Sequence, residues 1–183
     1  WRGRLVVTHH VDVGMLVETP TDAGPLPVGH VVRDADVRSV AEISAEVRGV
    51  HARPDSGSGN RSLTRLSMTT RIPGAMPLFF RTMQRSVWLH RASGTVSVSS
   101  VGMFGRGSGF AVAAPAVLTL NVFVGGLSER PWAVDGRVDV REVLDLTVTV
   151  DHNVVDGAPA ARFVASMREL VESASLLPVA VDG

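Results

Sequence analysis

Val143-Leu144-Asp145-Leu146-Thr147-Val148-Thr149-Val150-Asp151-His152-Asn153-Val154-Val155-Asp156-Gly157-Ala158 is the stretch in which the apolar period of this 183-residue chain changes. Leu144, Leu146, Val148 and Val150 alternate with Asp145, Thr147, Thr149 and Asp151, the two-residue repeat of a strand with one face turned inward. Beyond Ala158 the spacing becomes helical. Ala160, Phe163, Val164, Met167, Leu170, Val171 and Ala174 form one stripe of an amphipathic helix predicted over 158–175, a stripe read as packing against the rest of the fold. Alternation puts His152 in line with the apolar set, so its imidazole is expected at the strand end on the side facing the interior. Asp156, four residues on, falls at the predicted helix N-terminus, where negative charge is favoured; there it can also hold the turn and orient the imidazole. Spacing alone leaves two readings open: a site, or a satisfied strand-end histidine followed by a helix cap.

Working outward, strands are predicted over 5–7, 11–18, 26–32, 94–100, 117–124, 136–140 and 143–151. Asp34 or Asp36 can cap a helix over 37–50, whose apolar residues recur at roughly helical spacing, and a second helix is predicted over 77–89. The stretches 52–60 and 102–109 are glycine-bearing loops, and no internal repeat is visible. The pattern is α+β: one domain with a mixed β-sheet and helices packed on it.

Composition narrows the chemistry. The chain has 18 basic and 18 acidic residues, and every basic one is arginine; lysine, tyrosine and cysteine are absent. Without lysine there is no Schiff base, no lysine-anchored cofactor and no phosphate loop ending in Gly-Lys-Ser/Thr. Without cysteine there is no thiol nucleophile, no thiolate-held metal and no disulfide. Zero net charge argues against a nucleic acid or anionic membrane as partner, and no apolar run approaches the ~18–20 residues that cross a bilayer. The start at Trp1-Arg2-Gly3-Arg4 is read as that of a trimmed chain or a piece of a longer one, and the cytoplasm is the expected location. No metal site is expected, since His9, His10, His30, His51 and His90 have no metal-ligand spacing. His9-His10-Val11-Asp12 is read as part of a strand pattern and not as a site.

The run from Asp151 to Ala158, continued by Pro159-Ala160-Ala161-Arg162-Phe163, resembles the active-site signature of the dihydrolipoamide acyltransferases of 2-oxo-acid dehydrogenase complexes. Their catalytic domain shares the fold of chloramphenicol acetyltransferase. Three further stretches resemble the family in the same order: Glu18-Thr19-Pro20 through Arg33-Asp34-Ala35-Asp36, Gly94 through Gly105, and Glu129-Arg130-Pro131-Trp132 through Gly136. The resemblance implies a chloramphenicol acetyltransferase-like fold, with residues 1–183 an acyltransferase catalytic domain that is N-terminally incomplete relative to the family. It departs from the family at Asn153, where arginine is usual, at Ser100, where asparagine is common, and over 51–92, which suits a divergent, stand-alone branch.

What the resemblance implies for chemistry is specific. His152 is the general base, Ser99 the hydroxyl that steadies the tetrahedral oxyanion, and Asp156 the aspartate that maintains the site. Ser100, Gly102, Phe104, Arg106 and Asn153 are the expected substrate contacts, with Arg106 meeting a coenzyme A phosphate. Coenzyme A enters as acyl-CoA, a substrate, and the acceptor is a thiol such as dihydrolipoamide. The lysine-free chain can bear no covalent lipoyl group, so a lipoyl domain on another chain is the implied partner. A homotrimer with His152 and Ser99 drawn from different subunits is expected. An imidazole of pKa ~6.5 can take a proton from a thiol of pKa ~8.5 at neutral pH, so the substrate supplies the nucleophile. Two alternatives stand: transfer to a small alcohol or amine, and an inactive trimer-forming scaffold.

Overall fold

The structure is a computed structural model that describes residues 6–19, 24, 26–52, 78, 81, 92–100, 107–112 and 118–177. Among these residues five strands form one mixed sheet: β1 (Val13–Thr19), β2 (Leu26–Val32), β3 (Val96–Ser100), β4 (Leu120–Val134) and β5 (Arg137–Val150). Their spatial order is β2-β1-β3-β4-β5. The outer pairs β1/β2 and β4/β5 are antiparallel, whereas β1/β3 and β3/β4 are parallel. A 3-10 turn (Ala35–Val37) and helix α1 (Val40–Ala52) follow β2, and helix α2 (Gly157–Ser173) follows β5. Among the described residues this is the α+β architecture expected from the sequence, a mixed sheet with helices α1 and α2.

Two strands differ from the expectation in length. The runs at 117–124, 136–140 and 143–151 are parts of one long hairpin, in which Asp135 and Gly136 form the two-residue connection. Both have positive φ, 50° and 77°, which is the backbone of the type I′ turn that suits twisted antiparallel strands. The sequence pattern is broken at Gly125-Gly126, where the register shifts between Val124 and Leu127, so one continuous strand reads as two. Val6 and Val7 are not in a strand, and His9-His10 lie in a bend ahead of β1.

Helix α1 starts later than expected, and neither Asp34 nor Asp36 caps it. Ser39 does: its hydroxyl accepts from the Glu42 amide (3.3 Å), and the Glu42 carboxylate accepts from the Ser39 amide (2.8 Å), a reciprocal capping box. Asp36 instead accepts from the Val11 amide (2.8 Å), which holds its carboxyl below the usual range. Asp34 adopts φ 51° at the entry to the 3-10 turn, and its amide donates to Asp12, which also binds Arg33 (2.6 Å). These contacts fix the β2–α1 connection to the start of β1.

Val17, Val28, Val32 and Val50 are buried, with α1 lying on β1 and β2. His30 points into the same layer and meets Glu46 of α1 at 2.6 Å, and Arg38 meets the other Glu46 oxygen at 2.5 Å. Burial raises the Glu46 pKa, but the bonds from Arg38 and His30 outweigh it and the net shift is downward. The chain enters β3 across β1: a Cβ on Gly14 would overlap the Ser93 carbonyl oxygen, and Gly94 takes a φ of 95° that favours glycine. Of the helix predicted over 77–89, only Leu78 and Arg81 are described, both helical; the remainder and the loops at 53–60 and 101–106 lie outside the described residues. No helix among the described residues is long and apolar enough to cross a membrane.

Candidate active site

The strand register places the expected site residues. Ser97, Asn121 and Thr149 share one face of the sheet, and so do Ser99, Phe123 and Thr147 in the adjacent rank. Asp145 belongs to the same face, two residues before Thr147 along β5. This polar face is not a solvent face. Ser99 is half-buried, Asn121 and Asp145 are buried, and Ser100, one residue on at the strand end, is exposed. Asn121 is fully engaged: it accepts from the Ser97 hydroxyl (2.5 Å) and donates to the Leu118 carbonyl (3.1 Å).

His152 lies elsewhere than strand alternation suggests. Strand β5 ends at Val150, and the amides of Val154 (2.9 Å) and Val155 (3.0 Å) fold back onto the Asp151 carbonyl. Once the backbone turns, the two-residue alternation no longer applies, and the imidazole is exposed in the turn instead of facing the interior. The turn itself is held by Asp151, whose carboxylate accepts from the Asn153 amide (2.9 Å) and from its side-chain amide (2.8 Å). Asn153, expected as a substrate contact, is thus occupied in shaping the loop. Asp156 occupies the N-cap position of α2, as expected, but with no side-chain capping bond, and it does not hold the turn. Among the described residues, neither the His152 imidazole nor the Asp156 carboxylate has a hydrogen-bond partner. Gly102, Phe104 and Arg106 lie outside the described residues.

Within one chain, Ser99 and His152 are kept apart. Ser99 is level with Thr147 through Phe123, two strands across, ~10 Å. His152 lies beyond the end of β5, three further strand residues or ~10 Å along and then two residues out. A single subunit does not bring the two side chains to a common atom.

The structure adds residues that the pattern did not single out. Asp145, which alternation assigns to the outward set, is 4% exposed, whereas Leu144 beside it is 39% exposed. A buried carboxylate requires partners. Asp145 has the guanidinium of Arg130 on β4 and the Gly109 amide at 3.0 Å. The Arg130 bond holds its carboxyl below the ordinary carboxylate range, against burial, with the Gly109 amide adding to the effect. The sequence carried two signals here: a lone carboxylate amid apolar strand residues, and a Gly-Gly doublet inside a strand.

The apolar stripe of α2 does not pack as expected. No residue of the helix is buried, and Phe163, Val164, Leu170 and Val171 are 42%, 41%, 44% and 54% exposed. The helix stands across a cleft of about 1050 Å³ from the β4–β5 hairpin, lined by Trp132, Leu144, Leu146, Val164, Met167 and Val171 among others. Among the described residues no group of His, Asp and Glu side chains could hold a metal ion.

Residues 89–179, which contain β3 to α2 and the His152 turn, match the 2-oxoacid dehydrogenases acyltransferase (catalytic domain). This segment, about half of the chain, is identified as belonging to the 2-oxoacid dehydrogenase acyltransferase family. It is 38% identical over 79 residues to the dihydrolipoyllysine-residue acetyltransferase component of the pyruvate dehydrogenase complex of Zymomonas mobilis, covering 43% of this chain and 18% of that protein. It is 26% identical over 172 residues to the dihydrolipoyllysine-residue succinyltransferase component of the 2-oxoglutarate dehydrogenase complex of Rickettsia bellii, covering 92% of this chain and 34% of that protein. These matches cover 18% and 34% of the two relatives, so the chain spans about a third of their length at most. Among solved structures, the dihydrolipoamide acetyltransferase of Azotobacter vinelandii superposes with a TM-score of 0.57 at 23% identity, covering 92% of this chain and 56% of that one. The cubic core of the pyruvate dehydrogenase multienzyme complex superposes with a TM-score of 0.59 at 23% identity, over the same shares of the two chains. These likenesses establish a shared fold.

Proposed function

We propose that this acyltransferase-family chain moves an acyl group between coenzyme A and a thiol such as dihydrolipoamide. The observation that carries the reading is the Asp151–Gly157 turn, which sets a histidine and an aspartate four residues apart between strand and helix inside the family-matched segment. The Azotobacter vinelandii enzyme offers support: the residues investigated for their role in its catalytic mechanism are a serine, a histidine and, four positions after the histidine, an asparagine. In this chain Ser99, His152 and Asp156 take the corresponding roles.

In the proposed reaction His152 removes the proton of the incoming thiol, and the thiolate attacks the thioester carbonyl. The Ser99 hydroxyl donates to the developing oxyanion, and collapse of the tetrahedral intermediate expels the other thiol, which takes the proton back from His152. No protein nucleophile is formed, which suits a chain without cysteine or lysine. The two-strand, five-residue separation of Ser99 from His152 supports a site completed between subunits, as in a homotrimer. A lipoyl group would arrive on another chain. The test is a thioester–thiol exchange assay with acyl-CoA and a dithiol. Turnover lost on His152→Ala is expected; a variant that turns over like the unaltered chain rules out the base assignment. Exchange with alcohols or amines but not thiols would redirect the acceptor.

A further inference from the structure

Asp145 lies outside the proposed trio, yet its carboxylate is buried and paired on two sides. Its position joins three pieces of chain. Arg130 on β4 meets it from the neighbouring strand, and the Gly109 amide donates to it at 3.0 Å. The Gly109 carbonyl in turn accepts from the Gly126 amide at 2.9 Å. Segment 107–109 therefore lies across the bulge of β4, and the approach is close. A Cβ on Gly125 would overlap the Gly109 carbonyl oxygen, and one on Gly126 the Gly107 carbonyl oxygen. The glycine doublet that interrupts the strand pattern is what admits this crossing.

The crossing matters because of where it sits. Segment 107–109 belongs to the chain that leaves β3 at Ser99 and Ser100, and Asp145 shares Ser99's face of the sheet. By register the two are two strands apart and two residues offset, roughly 12 Å. Segment 107–109 crosses β4 at Gly125-Gly126, directly beyond Val124, the register partner of Ser100, so the latched segment itself lies beside the end of β3. A loose wall weakens the hold on a bound substrate in ground state and transition state alike, which raises KM and leaves kcat nearly unchanged.

We propose that Asp145 is a positioning residue for acyl transfer: with Arg130 it latches segment 107–109 across the β4 bulge and so sets the substrate-side wall beside Ser99. This rests on the acyltransferase reading above. Asp145 acts through the segment it holds and takes no part in moving the proton.

The test uses the full chain, with Asp145→Asn and Gly126→Ala compared against the unaltered protein and His152→Ala. The glycine variant leaves Asp145 and Arg130 in place but sets a methyl against the Gly107 carbonyl, so it disturbs the same crossing from the other side. Both should raise the KM for acyl-CoA about tenfold with kcat kept within about twofold, the reverse of the kcat loss expected for His152→Ala. Hydrogen exchange at the Gly109 and Gly126 amides should quicken about tenfold or more in Asp145→Asn, with the β1–β2 amides unchanged. An active protein in which Asp145→Asn leaves KM and the Gly109 amide unaltered overturns the positioning role alone. An unaltered protein inert in exchange overturns the acyl-transfer reading and, with it, this role. If Asp145→Asn does not fold, Gly126→Ala decides the matter by the same KM and kcat readings.

Discussion

A side chain on an exposed turn can be removed with little consequence for folding, and this gives the base role proposed for His152 a clean test. The imidazole makes no hydrogen bond among the described residues, and the turn is held by Asp151 and Asn153 instead. His152→Ala should therefore change stability by no more than about 0.5 kcal/mol, while lowering kcat by ~10²–10⁴-fold. Denaturant midpoints and exchange kinetics on one preparation check both. Asp145 is the opposite kind of residue, buried and paired. Its carboxyl is held low by Arg130, so folding favours the charged form. The stability it contributes is in full effect above the carboxyl pKa of the unfolded chain, ~3.9, and fades as pH falls through the lower folded value. The gap in urea midpoint between the unaltered protein and Asp145→Asn should be constant at neutral pH and close on strong acidification. A gap that persists unchanged in acid would show that the ion pair is not its source.

Elements show why some of the fold was legible in sequence and some was not. Strand β2 and helix α2 were readable because their periods are uninterrupted, and the mixed α+β architecture followed. The long hairpin was not, since Gly125-Gly126 breaks the alternation for a tertiary reason, the crossing of segment 107–109. The start of α1 was misplaced for a related reason. Three polar residues, Asp34, Asp36 and Ser39, each suit a cap, and only tertiary contacts assign Asp36 to Val11 and leave Ser39 to the helix. The His152–Asp156 spacing was legible in full, while the orientation of the imidazole was not, because a turn obeys its own hydrogen bonds and not the strand period. Ser39 carries an element-scale prediction. Ser39→Ala removes one half of the capping box and should cost about 1 kcal/mol, read as a lowered melting temperature with unaltered acyl exchange. No change in melting would assign the helix start to the Asp12 and Asp36 contacts alone.

At the scale of the whole molecule, two observations converge on association. The first is the exposed apolar surface: Phe163, Val164, Leu170 and Val171 on α2, and Trp132, Val138 and Val140 on the hairpin. Covering such side chains contributes roughly 1.5–3 kcal/mol for each that is fully buried, and contiguous patches of this kind mark contact surfaces. The second is the separation of Ser99 from His152 by strand register, which leaves each subunit with half of the proposed site. A closed ring of subunits answers both at once, since each copy can offer its Ser99 face to the next copy's His152 turn. Sedimentation should then give a trimer, and a folded, active monomer would overturn the assignment. The sharper measurement is complementation. Ser99→Ala and His152→Ala subunits are each inactive alone if both groups are required. Co-expressed in equal amounts, they assemble sites at random, and about a quarter of the sites shared between chains regain both intact groups. Recovery near that fraction is expected. If both groups came from a single chain, every site in the mixture would lack one of them, and activity would stay at the level of the separate variants.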